Sequence, residues 1–235
     1  MFVLGIIPAR GGSKEIKDKN IKELGGLPLI VHTIRAAKGS KLLSDCIVST
    51  DSERIADVAR RYGAKIPFLR PAELATDTSP TIDALLHALN FYEQEEGRRV
   101  EAIMILQPTA PFRESSDIDG AIELFSKGKA ESLISCFEED ESHPVVMYVP
   151  DGDLVKPLLS DKDVVMRRQD FPTVYTRNGA IYLMTRELLV EKRRIRADRS
   201  LCYVMPKVRS ANIDDMMSFA YAEFLFKWRT QYEQA

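Results

Sequence analysis

The chain has 235 residues, with 33 Lys and Arg against 35 Asp and Glu, a formal charge of −2 and a pI of about 6.0. Near-neutrality argues against a dedicated nucleic-acid binder, which needs a Lys or Arg for every phosphate whose counterions it displaces. With 45% hydrophobic and 29% charged residues the composition is that of an ordinary globular protein, and no apolar run approaches the ~18 residues of a bilayer span.

MFVLGIIPAR lacks a basic leader and a small-residue cleavage site, so Phe2–Ile7 reads as a buried first strand rather than a signal peptide. Downstream, short β-rich apolar runs alternate with helical spacing. The predicted helices are Pro28–Lys38, Glu53–Tyr62, Thr81–Glu95 and Asp117–Lys127, with Ser52 and Ser116 as N-caps. Further strands are predicted at Cys46–Ser49, Lys65–Leu69, Ala102–Leu106 and Ser132–Cys136. This alternation is the pattern of βαβ units around a mostly parallel sheet flanked by helices, an α/β fold. Gly179–Met184 and Leu201–Met205 resume strand character, and Met216–Trp228 reads as a closing amphipathic helix whose Phe224 and Trp228 pack inward. Residues 1–235 are read as a single domain with an irregular excursion at about 138–175. Charge is uneven: residues 131–163 hold nine acidic and two basic side chains, residues 167–209 eleven basic and four acidic. Cys46, Cys136 and Cys202 have neither disulfide nor metal spacing, which points to a reducing compartment. His32, His87 and His143 also lack ligand spacing.

The first loop carries the clearest chemistry. Ile7-Pro8-Ala9-Arg10-Gly11-Gly12-Ser13-Lys14, followed by Lys17, Lys19 and Asn20, has a phosphate-handling composition. Two glycines let backbone N–H groups approach an anion, and Arg10, Lys14 and Lys19 bring positive charge. The loop follows a strand, where open α/β sheets bind ligands. Neither a G-x-x-x-x-G-K-[ST] loop nor a G-x-G-x-x-G turn opening a helix is present, so a P-loop NTPase and a dinucleotide dehydrogenase both lose their main support.

Further segments accompany that loop: RPAELATDTSPT at 70–81, LQPTAPFR at 106–113, RRQDF at 167–171, RNGAIY at 177–182 and NID at 212–214. Together, from Ile6 to about Phe219, they resemble the CMP-sialic acid synthetases, or acylneuraminate cytidylyltransferases. The resemblance implies a Rossmann-like fold, a homodimer formed through the excursion, and transfer of CMP from CTP to the anomeric C2 hydroxyl of a nine-carbon 2-keto-3-deoxy acid sugar. Pyrophosphate is released with the help of Mg²⁺, and a cytoplasmic location is expected. It further implies that Arg10, Gly11, Gly12, Ser13, Lys14 and Lys19 handle the triphosphate, Asn20 holds the nucleotide, Arg70 reads cytosine and Thr81 lies near the base. Gln107, Arg167, Arg168, Tyr175, Arg177 and Asn178 are assigned to the sugar, with Arg168 contacting the acidic sugar by reaching into the site of the neighbouring subunit. Arg10, Lys19 and Asp214 are the implied catalytic residues, and Asn212 and Asp214 the metal ligands.

The chain departs from the family pattern twice. It reads Tyr175-Thr176-Arg177-Asn178-Gly179 where Tyr/Phe-Arg-Pro-Asn-Gly is common, which turns the arginine to the other strand face. It also has Asn212 where Asp is frequent, which lowers the charge of a metal site and makes Asp214 its stronger ligand. Capping of the last helix is an alternative role for Asp214 and Asp215. The alternative readings are a cytidylyltransferase for legionaminic, pseudaminic or 3-deoxy-octulosonic acid, which would share the fold and the loop, and a non-catalytic nucleotide-binding homologue, to which Asn212 points.

Overall fold

A computed structural model of the protein describes residues 1–159 and 171–232. In chain order the elements are β1 (Val3–Pro8), β2 (Glu23–Leu24), β3 (Leu27–Pro28), α1 (Leu29–Gly39), β4 (Asp45–Ser49), α2 (Glu53–Arg61), α3 (Thr81–Glu96), β5 (Ala102–Ile105), α4 (Ser115–Lys127), β6 (Ser132–Glu139), β7 (Tyr148–Asp151), β8 (Leu154–Pro157), β9 (Val174–Thr185), α5 (Arg186–Val190), β10 (Leu201–Val204) and α6 (Met216–Tyr232). Six strands form one sheet in the order β10-β6-β9-β5-β1-β4.

Alternation along the buried strands builds the layers. Val3 and Ile7 of β1, with Ala102 and Met104 of β5, face a core shared with α1 and α4. Leu4, Ile6, Ile103 and Ile105 face the opposite core, under α3 and α5. Neither face of these strands meets water, which is why they read as continuous apolar runs. The pairs β1·β4, β1·β5 and β6·β10 are parallel, as the βαβ pattern predicts, whereas β9 runs antiparallel between β5 and β6. An antiparallel neighbour needs no crossover over the sheet, so the chain can leave the end of β6 and re-enter at the adjacent end of β9.

The excursion leaves the sheet where β6 and β9 run on together as a two-stranded arm, with Glu138 opposite Tyr175 and Glu139 opposite Val174. Beyond the arm, β7 and β8 form a separate hairpin with Gly152 at a φ of 63° in its turn. The N-cap at Ser52 is present, its side chain accepting from the Ile55 N–H.

Three local expectations are corrected. Lys65–Leu69 is not a strand: only Lys65 bridges to Ile47, and Pro67 has no N–H with which to continue a ladder. Ser116 is not a cap, because α4 begins at Ser115 behind a reciprocal capping box between Glu114 and Asp117. On α6 the packed stripe is Phe219, Ala222 and Leu225, while Phe224 and Trp228 lie outward. Cys136 and Cys202, distant in sequence, sit on the adjacent strands β6 and β10, and all three cysteines are free thiols. Burial, and then a hydrogen bond that its thiol donates to Cys202, push the Cys136 pKa well above the ordinary thiol value.

An ion pair fixes α5 against α3. Arg186 donates to Glu93 through Nε and Nη2, both at 2.9 Å, with the two side chains about four-fifths buried. The Arg186 hydrogen bond holds the Glu93 carboxyl below its ordinary value. A depressed folded-state pKa stabilises the protein above the unfolded carboxyl range, and that stabilisation is lost as pH falls through the folded value. Glu93→Gln is therefore expected to cost about 1–2 kcal/mol at pH 7 and much less near pH 3, read from denaturant midpoints at the two pH values.

Candidate active site

The sheet reverses its winding at β1, with β4 on one side and β5 on the other, so the loops leaving β1 and β5 part and open a crevice at their carboxyl ends. Into it projects the Arg10–Asn20 loop. Asn20, buried, donates to the Arg10 carbonyl at 2.9 Å, and Asp51 at the end of β4 accepts from the Gly11 N–H at 2.9 Å. Asp18 takes a left-handed φ of 54° and pairs with Arg54 on α2. These ties leave the ligand side open: a Cβ on Gly12 would have nothing within 4 Å, whereas one on Gly11 would press on Ser52 at 3.0 Å.

Arg10, Ser13, Lys14, Lys19, Asn20 and Gln107 line a cleft of about 330 Å³. Its cations already hold one anion. Asp77, from the segment before α3, places one oxygen 2.8 Å from Arg10 and the other 2.6 Å from Lys14. The hydrogen bond from Lys14 holds the Asp77 carboxyl below the usual range. Sequence reading gave Asp77 no part in the site, because nothing local signals a pairing across that distance. Lys19 instead reaches the Ile213 and Asp214 carbonyls, at 3.1 and 3.4 Å, and so joins this loop to the Asn212-Ile213-Asp214 segment.

Gln107 stands at the tip of β5, between this cleft and a larger one of about 900 Å³ lined by Thr81, Ile134, Arg177, Tyr182 and the basic segment 193–198. Its carbonyl is held by Arg113, which also donates to the Ala180 carbonyl at 2.6 Å. Arg113 is 3% exposed, burial pulls its pKa down to about 10, and its Nε and Nη2 are buried without a partner among the described residues. A buried arginine retained at such a desolvation cost points to a positioning role that sequence reading did not assign.

A bulge in β9 completes the junction. Residues 178–181 lie opposite Ser135 alone. Asn178, 3% exposed, holds this bulge: its Oδ1 accepts from the Ser135 hydroxyl and the Ala180 N–H, and its Nδ2 donates to the Ser210 hydroxyl. The expected sugar contact of Asn178 is thereby corrected, since the amide is spent inside the protein. The bulge lifts Gly179, at a φ of 73°, until an added Cβ would stand 3.0 Å from Gln107 Oε1 and 3.7 Å from Asn212 Oδ1. Gly179→Ala is expected to cost about 1–2 kcal/mol from the left-handed backbone alone, and to displace Gln107 as well. Melting curves and steady-state kinetics should show a modest stability loss with a disproportionate fall in kcat/KM.

The remaining predicted residues fall into four groups. Arg177 lines the larger cleft on the face opposite Asn178, as strand alternation requires, with its guanidinium 5.8 Å from the Tyr182 ring centroid. Arg70 is buried beside β4, with Nε and Nη2 bonded to Ser49, so only Nη1 is left for a base edge. Tyr175 lies half-exposed on the arm and lines neither cleft. Arg167 and Arg168 lie outside the described residues.

The described residues hold no group of three or more His, Cys, Asp or Glu that could bind a metal. Two side chains nevertheless fit a hard cation shared with phosphates. Asn212 Oδ1 is a buried acceptor without a partner among the described residues, while Asn212 Nδ2 donates to Asp214 Oδ2 at 2.8 Å, setting both oxygen-bearing groups side by side. Mg²⁺ commonly takes one or two protein oxygens and completes its shell with water and substrate. Asp215, not Asp214, caps α6, exchanging hydrogen bonds with Ser218.

A family profile described as Cytidylyltransferase matches residues 4–234. The CMP-N,N'-diacetyllegionaminic acid synthase of Legionella pneumophila is 35% identical over 97% of this chain and 97% of that protein. The N-acylneuraminate cytidylyltransferase of Escherichia coli O18:K1:H7 is 34% identical over 94% of this chain, which spans 51% of that longer protein. The chain belongs to the CMP-sialic acid synthetase family of cytidylyltransferases. It is a nucleotidyltransferase. Family relatives also include a pseudaminic acid cytidylyltransferase of Campylobacter jejuni, 31% identical over 95% of this chain and 96% of that one. The α/β Rossmann-like fold agrees with a solved CMP:2-keto-3-deoxy-manno-octonic acid synthetase complexed with CTP, at a TM-score of 0.70 and 15% identity over 97% of this chain and all of that one. No helix among the described residues of this synthetase-family chain is long and apolar enough to cross a membrane.

Proposed function

We propose that the protein transfers CMP from CTP to the C2 hydroxyl of a nine-carbon 2-keto-3-deoxy acid sugar, the class that includes N-acetylneuraminate, diacetyllegionaminate and pseudaminate. The observation that carries this reading is the meeting of two clefts at Gln107, one lined by a cationic glycine loop sized for phosphates, the other large, polar and rich in arginine.

In this reading Arg10, Ser13, Lys14 and the N–H groups around Gly12 bind the β- and γ-phosphates. They stabilise the charge that builds on pyrophosphate as it leaves. Lys19, fixed by the Ile213 and Asp214 carbonyls, holds the loop against the 212–214 segment and faces the same cleft. Arg70 and Asn20 hold the nucleoside. Gln107, an amide that both donates and accepts, orients the sugar at the junction. The C2 oxygen forms its bond to the α-phosphorus as the bond to the pyrophosphate oxygen breaks, in line. The hydroxyl proton passes through a water to the Asp214 carboxylate. Asn212 and Asp214 would hold Mg²⁺, which when bound supplies charge neutralisation across the phosphates.

We further propose a homodimer formed through the excursion, supported by exposed Tyr148, Leu154 and Val155 on its hairpin. Sedimentation of the purified protein tests it. Pyrophosphate release with CTP, Mg²⁺ and a panel of eight- and nine-carbon acid sugars tests the reaction. Turnover of a nine-carbon acid supports the assignment, and turnover of the eight-carbon acid alone defeats it.

A further inference from the structure

Among the described residues four arginines line the larger cleft, and two of them are neutralised within the protein. Arg193 pairs with Asp83 on α3, and Arg194 pairs with Asp198. Arg177 and Arg196 have no carboxylate partner among the described residues, yet both lie in the cleft wall, Arg177 with its guanidinium 5.8 Å from the Tyr182 ring centroid, and both charges act on the Tyr182 phenol. The segment carrying Arg196 is held in a specific shape. Arg193 has a left-handed φ of 49°, costly for a residue with a side chain, and the next N–H donates to the Leu188 carbonyl at 3.0 Å. Gln107 opens the same cleft toward the glycine loop.

Two guanidinium groups in one cleft wall, without a carboxylate partner among the described residues, favour an anion that both can reach. We infer that Arg177 and Arg196 together bind the C1 carboxylate of the acid sugar, so that Arg196, unmarked by any sequence motif, is a determinant of acid specificity. This rests on the reaction proposed above. It also gives Arg177 a definite role despite its shifted position: the face that Asn178 does not occupy is the face that meets the substrate.

The test is kinetic, on Arg196→Met, Arg196→Lys and Arg177→Met in the full chain, with the acid sugar the wild type turns over best and the C1 carboxamide of that sugar. Losing a charge-assisted hydrogen bond should raise KM for the acid about 10- to 100-fold in Arg196→Met and Arg177→Met, with partial recovery in Arg196→Lys. KM for CTP should stay within about twofold, and the carboxamide should be handled equally poorly by wild type and Arg196→Met. An unchanged KM for the acid in a folded Arg196→Met variant overturns the inference, as does undiminished preference for acid over carboxamide. Failure of the wild type to turn over any acid sugar would instead refute the proposed reaction, so the two failures are distinct. Arg196 is exposed, so unchanged melting temperatures are expected and serve as the folding control.

Discussion

Replacing Arg10 by alanine should lower turnover by about two to three orders of magnitude while the melting temperature moves by no more than about 2–4 °C. The two parts of this result have different origins. The Arg10 side chain is 36% exposed and its ion-pair partner, Asp77, is 37% exposed, so the pair lost on mutation is a solvent-screened surface salt bridge that adds little stability. The catalytic loss comes from removing a cation where pyrophosphate develops charge, in a cleft that also holds Lys14 and Lys19. The same geometry sets the sign for Asp77. Its carboxylate occupies the cations that the triphosphate needs, so Asp77→Asn should bind CTP several-fold more tightly by calorimetry. A large stability loss in Arg10→Ala would make the arginine structural.

Asp214→Ala is the second large effect, with an expected fall in turnover of at least about a hundredfold and little change in stability. The neighbouring residue supplies the contrast. Asp215 makes the α6 cap, and its carboxyl is held below the usual range chiefly by the Ser218 N–H. Asp215→Ala should therefore lower the melting temperature and leave turnover within a few-fold. Metal dependence separates the roles further. Restoring a carboxylate with Asn212→Asp should lower the Mg²⁺ concentration giving half-maximal rate, because it adds charge to the ligand pair. If Asp214→Ala and Asp215→Ala exchanged these phenotypes, the assignment of the 212–214 segment would fail.

The local features of the fold could be read from the sequence, and features formed by distant residues could not. Strands β1, β4 and β5 were legible because residues such as Ile6 and Ile103 are buried in continuous apolar runs between turn signals. The reversal of β9 was not, since an apolar run such as Gly179–Met184 carries no sign of its direction. Pro67 and the Glu114 capping box were visible as residues, but their effect depends on which strand or helix lies alongside. In the site, the glycine loop was legible because glycine and cation composition is itself the chemistry. Asp77, Arg113 and Arg196 were not, because each acquires its role from a partner brought up by the sheet. Asn178 shows the reverse case: its amide suits a sugar, and the bulge consumes it.

A crystal structure with CTP bound tests the assignment of the two clefts most directly. The β- and γ-phosphates are expected within hydrogen-bond distance of Arg10 and Lys14, with Asp77 displaced and the α-phosphorus facing Gln107. A triphosphate seated among Arg177, Arg193 and Arg196, with the Arg10–Asp77 and Lys14–Asp77 pairs intact, would contradict it.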